Sequence, residues 1–257
     1  MKKQITKFIL PLFALATLAS CGGNSSTPAA STPAAAESSV EQSSAATLPT
    51  FDAYTLSELH GARVADKLAS LNEKYVAVKG KVTFAKHVGE NDGILVIQNG
   101  KFAVEVSYPE VFNVKVGDPV EVKGRFNEYK VGDIPTITVS TYRDVVPNSS
   151  IQVIDEAISI DEVVITKEAE LVEYECSVAN INFSVVGSRK NAAFVGKLTE
   201  GDAEFIVSNK LSVAEKVPEG TYVEGDHVSY SGIFTYSGSE DAKVIRYFDH
   251  QGLSKRN

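Results

Sequence analysis

The chain of 257 residues contains no Trp, one Met, two Cys and four His. Two cysteines cannot form a framework of disulfides, and four scattered histidines do not make a His-rich metal site. The sequence also lacks the G-x-S-x-G, phosphate-loop, H-E-x-x-H and C-x-x-C patterns that accompany hydrolase, nucleotide, zinc and redox chemistry. We therefore predict that the protein is not an enzyme and has no catalytic residue, metal site, cofactor or small-molecule substrate.

Positive charge is also scarce. Lys and Arg total 25 against 33 Asp and Glu, which gives a formal net charge of −8. An acidic chain is a poor starting point for nucleic-acid binding, because that affinity depends on cations placed against phosphates. The composition is otherwise that of a globular protein, with 43% hydrophobic and 23% charged residues.

The first 20 residues have the pattern of a secretory signal peptide. Three lysines precede an apolar run at residues 8–18, which is shorter than the roughly 20 residues that a membrane-spanning helix needs. The run ends in the tetrapeptide LASC at residues 18–21, which resembles the lipobox of bacterial lipoproteins. The resemblance implies cleavage after residue 20 and attachment of lipid, with palmitate-type acyl chains, to Cys21. We expect an exported protein anchored through Cys21 to the cell membrane or the outer membrane, with its folded part in the periplasm or at the cell surface.

The segment that follows is predicted to be a disordered tether. Residues 21–50 are mostly Ser, Ala, Thr and Pro, and they offer too little apolar surface to offset the entropy of ordering. Beyond the tether, we predict a first domain over residues 51–148, a second over residues 149–250, and a polar tail over residues 251–257.

The first domain is predicted to be a helix followed by five strands. Thr55 and Glu58 fit a capping box, and leucines follow at roughly helical spacing. From residue 75 the apolar period changes to two, with Gly80 at a bend. The apolar face of the first strand is predicted to carry Val76, Val78, Val82 and Phe84. The alternation at residues 102–107 places Ala103, Glu105 and Ser107 on the outer face of the third strand.

The second domain repeats features of the first. The pattern GD-x-V-x-(V/Y)-x-G-x-F occurs at residues 117–126 and again, 108 residues later, at residues 225–234. Ser159 to Glu162 fits another capping box and predicts a helix over residues 163–171. The apolar parity then changes along residues 174–186, which predicts a β-bulge near residues 179–180. Together these features indicate an internal duplication.

The predicted fold class is mainly β. Two tandem five-stranded Greek-key barrels of the OB type, each preceded by a short α-helix, would remove the exposed edges that flat five-stranded sheets leave. The sequence resembles bacterial exported proteins of the tRNA-anti-like OB-fold group. The resemblance rests on Y-x-x-x-x-G-K-V at residues 75–82 and GD-x-V-x-V-x-G at residues 117–124. The second copy departs from it at residues 178–181, where VANI stands in place of the Gly-Lys-Val portion.

Ligands of OB barrels usually bind on strands two and three and on the loops after strands one and four. Basic and aromatic side chains in these loops and on strand one are the candidate ligand-binding residues: Lys79, Lys81, Lys86, Arg125, Tyr129, Lys130, Arg189, Lys190 and Tyr236. Cations beside an aromatic ring suit single-stranded nucleic acid. However, the same loops carry acidic residues, and the outer face of the third strand has no aromatic pair.

Three functions remain open at this point. The favoured one is a membrane-anchored, non-catalytic binding or scaffolding lipoprotein of the cell envelope, with a protein, peptide or glycan ligand. The alternative is a nucleic-acid-binding OB-fold lipoprotein that uses the loops after strands one and four, although the acidic charge disfavours this partner. The third is an enzyme or metal protein with a site assembled from distant loops, of which convergence of His87 with carboxylates of the other domain would be the sign.

Overall fold

The computed structural model describes residues 48–64, 68–87, 93–108, 113–131, 134–141, 146, 148–211, 217–218, 220–239 and 241–256. The predicted signal peptide, Cys21 and nearly all of the predicted tether lie outside these residues. The helices are α1 (Leu56–Val64) and α2 (Glu168–Glu173), with short 3-10 turns at Leu68–Ser70 and His250–Gly252. The strands in chain order are β1 (Asp52–Tyr54), β2 (Tyr75–His87), β3 (Gly93–Asn99), β4 (Phe102–Tyr108), β5 (Pro119–Val131), β6 (Ile134–Ser140), β7 (Ser150–Val153), β8 (Val163–Ile165), β9 (Val178–Gly187), β10 (Phe194–Leu198), β11 (Glu204–Asn209), β12 (His227–Ser239), β13 (Ala242–Tyr247) and β14 (Leu253–Arg256).

The strands form two seven-stranded sheets, and both sheets belong to one compact unit, residues 46–257. The first sheet has the order β1-β2-β3-β4-β6-β5-β7, and β2 also pairs with β5, which closes five strands into a barrel. The second sheet, β8-β9-β10-β11-β13-β12-β14, has the same order strand for strand, and β9 also pairs with β12. The mainly β architecture with a closed five-stranded barrel is compatible with the OB fold, as the sequence predicts.

The long first strand of the barrel, β2, pairs with two other strands. Lys81 pairs with Gln98 of β3 and also with Pro119 of β5, so β2 passes from one neighbour to the other at this residue. Gly80 stands immediately before the exchange. A Cβ atom at Gly80 would lie 2.9 Å from the Cβ of Ile97, so a larger side chain has no room there.

The repeated GD pattern closes each barrel against its first strand. Gly117 has a φ of 101°, a left-handed conformation that favours glycine. Its amide donates to the Val82 carbonyl at 2.8 Å, and the Val82 amide donates to the Asp118 carbonyl at 2.9 Å. The second sheet repeats both hydrogen bonds, at 2.9 and 2.8 Å, with Gly225, Val185 and Asp226. The pattern therefore has a structural role in both sheets.

Each sheet encloses its own hydrophobic core. In the first, Leu56 and Leu59 of α1 cover one end of the core, and their capping box forms as predicted, with the Thr55 amide 2.7 Å from the Glu58 carboxylate. The first core is completed by residues such as Val78, Leu95, Val104, Val122 and Phe126. The second core is richer in aromatic rings, including Phe183, Phe194, Phe205, Tyr230, Phe234, Tyr236 and Tyr247.

The prediction of a helix over residues 163–171 is wrong in its bounds. Val163–Ile165 is strand β8, which runs parallel to β9, and the helix is the shorter Glu168–Glu173. The carboxylate of Glu170 accepts from the amides of Thr166 and Lys167 at 2.7 and 3.2 Å, so the capping interaction lies there and not at Ser159 and Glu162. Local sequence resembled a cap, but long-range pairing with β9 extends the chain at these residues.

Two predictions about strand faces are also corrected. The β2–β3 register shifts between Val82 and Phe84, so Phe84 leaves the barrel core and joins a second apolar cluster. The predicted bulge near residues 179–180 is absent, because β9 pairs with β12 without a shift from Val178 to Ser184. The parity change has another cause: Cys176 and Val178 belong to that second cluster, whereas the following alternate residues fill the barrel core.

The predicted domain boundaries need adjustment at two places. β7, which begins at Ser150, pairs with β5, so the first sheet extends past the boundary predicted at 148/149. Residues 251–257 are not simply a polar tail, since β14 pairs with β12 and its Leu253 packs against the second core.

Candidate ligand-binding surfaces

The outer face of β3 and β4 is covered by the second sheet. Val96 and Ala103, on this face, are 0% and 1% exposed. They pack in the second apolar cluster mentioned above, hereafter the interface cluster, whose other members are Phe84, Ile94, Cys176, Val178, Leu211, Ile233 and Phe248. Ala103 and Glu105 therefore point outward from their own barrel, as predicted, but they are not exposed to solvent.

Hydrogen bonds hold the same contact together. The side-chain amide of Gln98 donates to the Asp161 carbonyl and accepts from the Val178 amide, both at 2.9 Å. The Ser177 hydroxyl donates to the Lys101 carbonyl at 2.5 Å. Gln98 is 0% exposed, and its amide nitrogen also donates to the Gly100 carbonyl of its own hairpin at 2.9 Å, so the buried group is fully hydrogen-bonded.

A buried ion pair lies beside the interface cluster. Lys210, at the end of β11, donates to the carboxylate of Glu105 on β4, and its ammonium lies 5.3 Å from the centre of the Phe248 ring. Burial opposes the charged form of Lys210, but attraction to Glu105 outweighs it and raises the pKa of Lys210. A charged pair of this kind tolerates burial because each partner satisfies the other.

This arrangement removes one predicted ligand surface. β3 and β4 are the second and third strands of the first barrel, the strands whose outer face usually binds ligands in OB folds. In this protein that face carries Val96, Gln98, Ala103 and Glu105, all of them buried against the second sheet. A ligand of the folded chain must therefore use other surfaces.

The predicted basic residues of the first barrel do not converge. Arg125 pairs with Tyr75 at one end of β2, and Lys86 pairs with Ile94 near the other end. Eleven residues of strand separate these positions, which corresponds to roughly 35 Å. Lys79 donates to Glu156 at 2.7 Å in an exposed pair, which places a carboxylate beside this cation, and Lys81 lies two residues further along β2.

The aromatic candidates do not form a stacking surface. Tyr236 is 1% exposed in the second core, and its hydroxyl donates to Glu168, so the prediction that it contacts ligand is wrong. Burial and this hydrogen bond raise the pKa of Tyr236. The side chains of Tyr129 and Lys130 lie outside the described residues. Among the described side chains, no Phe or Tyr is more than partly exposed.

The remaining predicted residues lie together in the second sheet. Arg189 and Lys190 follow β9, where the Ala192 amide donates to the Arg189 carbonyl at 3.1 Å and closes a tight turn. Both side chains are exposed and line a cleft of about 530 Å³, together with Asn191, Tyr222 and Pro218. Asn191 has a φ of 67°, a conformation that Asn tolerates better than most residues. No carboxylate of the described residues lines this cleft, hereafter the loop cleft.

An aliphatic row lies on the adjoining outer face of the second barrel. Val195, Ile206 and Val244 are directly paired across β10, β11 and β13, and each is partly exposed. Arg246, two residues from Val244, donates to the Ser237 hydroxyl at 2.8 Å. This face is the counterpart of the covered face in the first barrel. Sequence analysis missed it, although the alternation along β10 and β11 could have predicted these outward side chains.

Other classes of site find little support in the described residues. They contain no group of three or more His, Cys, Asp or Glu placed to hold a metal ion. His87 ends β2, and Glu90 and Asp92, the acidic residues that follow it in the sequence, lie outside the described residues. No helix of the described chain has the length and apolarity needed to cross a membrane.

Comparisons with known proteins give only distant similarities. No protein-family model matches the chain, and no curated protein matches it. Among solved structures, a murine DNA-binding protein bound to double-stranded DNA has 14% identity and a TM-score of 0.34, over 70% of this chain and 94% of that chain. Fission yeast Pot1 with single-stranded DNA has 10% identity and a TM-score of 0.32, over 72% of this chain and 84% of that chain.

An aspartyl-tRNA synthetase from Entamoeba histolytica has 12% identity and a TM-score of 0.27, over 35% of this chain. The chain spans about a fifth of the length of the two aspartyl-tRNA synthetases that it matches. At these identities and TM-scores, none of the similarities carries an inference about what this chain binds. The strand order therefore assigns a fold and no function. That fold is a closed five-stranded β-barrel, compatible with the OB type.

Proposed function

We propose that this protein is a lipid-anchored, non-catalytic binding module of the bacterial cell envelope, with its ligand surface on the second barrel. The observation that carries the proposal is the contrast between two equivalent faces. Val96 and Ala103 of the first barrel are buried under the second sheet, whereas Val195, Ile206 and Val244 of the second barrel remain partly exposed. One barrel thus acts as a support, and the other presents the ligand surface.

The proposed ligand is a protein or glycan of the envelope with acidic character. Arg189 and Lys190 in the loop cleft offer two cations, and Val195 and Ile206 beside Arg189 offer apolar contact area, with Lys243, Glu204 and Asp241 around it. Charged groups at the rim of an interface mainly set orientation and association rate, while buried apolar contacts supply affinity. A partner with acidic residues around an apolar patch fits both features.

The proposal also includes a lipid anchor at Cys21 and an origin of the two barrels by internal duplication. The LASC tetrapeptide and the Ser- and Ala-rich segment after it support lipidation of Cys21 and a tether of up to residue 50. A random coil of about 30 residues has a root-mean-square span of roughly 30 Å, enough to hold the barrels clear of a membrane surface. The matching strand orders support an origin by duplication of one OB-type barrel.

Nucleic acid is the second candidate ligand, and the loop cleft is the observation that favours it. Arg189 and Lys190 lie after the first strand of an OB-type barrel, where oligonucleotides commonly bind. Two features weigh against it: the net charge of −8, and the absence, among the described side chains, of a Phe or Tyr that is more than partly exposed. Without stacking and with few cations, affinity for single strands is low.

Co-purification from detergent-solubilised membranes tests the proposal. The intact protein is isolated with and without nuclease, and bound proteins, glycans and nucleic acids are identified. We expect a stoichiometric envelope partner that survives nuclease treatment. Retention of nucleic acid that falls steeply with added salt would instead establish the second candidate, because that dependence comes from phosphate contacts.

A matched pair of variants locates the contact. Arg189→Gln with Lys190→Gln removes two charges from the loop cleft, and Lys79→Gln with Lys81→Gln removes the same charge from the first barrel. The first variant should reduce partner recovery about tenfold, and the control should leave it near the wild-type level. Equal recovery with both variants would place the partner elsewhere and contradict the proposal.

A further inference from the structure

A second polar cleft lies on the second sheet, away from the loop cleft. Four residues on four neighbouring antiparallel strands are directly opposite one another: Lys197 on β10, Ser184 on β9, His227 on β12 and Arg256 on β14. Directly paired residues of antiparallel strands share a face, so the four side chains form one row. At about 4.8 Å between strands, the row is roughly 14 Å long.

The neighbouring row is also polar. Ser229 pairs with Asn182 on one side and with Ser254 on the other, and the two serine hydroxyls are 3.0 Å apart. The first row and Asn182 of the second border a cleft of about 620 Å³, whose polar lining consists of Asn182, Ser184, Lys197, Thr199, His227 and Arg256. No Asp or Glu of the described residues lines this cleft, although the chain as a whole has an excess of acidic residues.

The partners already present leave donors available. Lys197 contacts Asp202 at 2.6 Å, but the Asp202 side chain is fully exposed, so solvent screens this pair and a ligand can compete with it. The Ser184 hydroxyl lies 3.4 Å from Nδ1 of His227. Arg256 is exposed, and its guanidinium is suited to bidentate contact with an oxyanion.

We propose that this row is a binding site for a phosphate group, carried either by a soluble phosphate compound or by a lipid headgroup. A tetrahedral oxyanion accepts several hydrogen bonds at once, and the row offers an ammonium, a guanidinium, an imidazole and one hydroxyl along one line. The site is independent of the loop cleft and of the ligand proposed for it. It is also absent from the first sheet, where Lys81 pairs with Gln98 and Pro119, and where Glu121 lies opposite Lys79.

The test uses the full chain with Cys21→Ala, so that no acyl chain contributes to binding. Titration calorimetry with inorganic phosphate should show saturable binding, and Arg256→Gln should weaken it about tenfold. Lys255→Gln is the matched control, because Lys255 carries the same charge on the same strand but pairs with Asp226 at 2.6 Å outside the cleft lining. This control should bind phosphate like the parent chain.

A vesicle arm separates the two sources of phosphate. Sedimentation with phosphatidic acid vesicles that is lost in Arg256→Gln and kept in Lys255→Gln assigns a lipid headgroup, whereas binding of inorganic phosphate without vesicle binding assigns a soluble compound. Failure to bind phosphate at tens of millimolar together with failure to bind the vesicles would overturn the inference. Equal weakening by Arg256→Gln and Lys255→Gln would overturn it as well, because it would show attraction by net charge alone. Neither result would bear on the loop cleft.

Discussion

Lys210 of the second sheet forms a hydrogen-bonded ion pair with Glu105 of the first, and the side chains are 18% and 9% exposed. The pair lies on the outer face of β4, where an OB barrel would ordinarily receive its ligand. With Phe248 and Gln98 nearby, it joins two barrels that each have a complete core of their own. The face of the first barrel that could have bound a ligand is therefore buried against the second barrel.

Breaking this pair should destabilise the chain. Lys210→Met leaves the Glu105 carboxylate buried without its cation, and we expect a loss of about 3–5 kcal/mol in the free energy of unfolding. Adding Glu105→Leu should recover most of the loss, because no unpaired charge then remains. Urea denaturation measures both effects. Lys79→Met, which breaks an exposed pair with Glu156, is the control and should leave the midpoint nearly unchanged. A similar cost for the two lysine variants would contradict the structural role of the Lys210 pair.

Stability should also fall at alkaline pH. The pKa of Lys210 is raised in the folded chain, so its contribution is complete below the unfolded value near 10 and is lost as the pH rises through the folded value. Burial, with a smaller effect of Tyr222, raises the pKa of Tyr247 to about 12, and its neutral form is likewise favoured by folding. We expect the free energy of unfolding to decrease from about pH 10 upward, and Tyr247→Phe to make that decrease shallower. An unchanged slope in Tyr247→Phe would show that this ring does not contribute.

Each barrel packs a glycine against a large side chain of the neighbouring strand, but the glycine lies on opposite strands of the pair in the two barrels. In the first, Gly80 on β2 leaves space for Ile97 on β3. By strand register, the corresponding positions in the second barrel are Phe183 on β9 and Gly196 on β10, so the large and small residues have changed places. A Cβ at Gly196 would lie 3.2 Å from the Phe183 ring.

This exchange predicts a measurable coupling. Gly80→Val should cost about 1–3 kcal/mol through overpacking, and Ile97→Ala in the same chain should recover part of that cost, so that the double variant is more stable than the sum of the single changes implies. Chemical denaturation of the four proteins of the cycle gives the coupling energy. Strict additivity would mean that Gly80 is not held to glycine by Ile97.

The proposed anchor has its own test. Cys21→Ala should move the protein from the membrane fraction to the soluble exported fraction and abolish labelling by a palmitate analogue. The tether and the barrels are unchanged by this substitution, so its only expected effect is on attachment. Membrane retention at the wild-type level in Cys21→Ala would exclude lipidation as the anchor.

Sequence alone predicts those parts of the fold that local interactions determine. The Thr55–Glu58 cap, the strand alternation and the repeated GD turns follow from short-range patterns, and the structure contains each of them. The helix predicted over residues 163–171 failed because β8 gains its hydrogen bonds from distant β9. Phe84 was assigned to the wrong cluster, and the parity change along residues 174–186 was misinterpreted as a bulge, because apolar strand residues can face either a barrel core or the interface cluster, and a period of two does not distinguish these.

The residues of the candidate sites also divide into those that the sequence predicts and those that it does not. Arg189 and Lys190 were predictable, because a charged turn after the first strand of a barrel is exposed wherever the barrel packs. Tyr236 was misplaced in a loop, although it continues the alternation of Val228, Tyr230 and Phe234 along β12 and, like them, lies in the second core. Predicting the row from Lys197 to Arg256 would require the register of four strands and the position of β14. Local sequence patterns determine neither of these.

The most direct test of the account is photo-crosslinking in living cells from two positions. A photoreactive residue replaces Lys190 in the loop cleft or, as the control, Lys79 on the first barrel. The account predicts a discrete, nuclease-resistant adduct from position 190 and none from position 79, because the ligand surface lies on the second barrel. An adduct from position 79 alone, or nuclease-sensitive adducts from both, would contradict it.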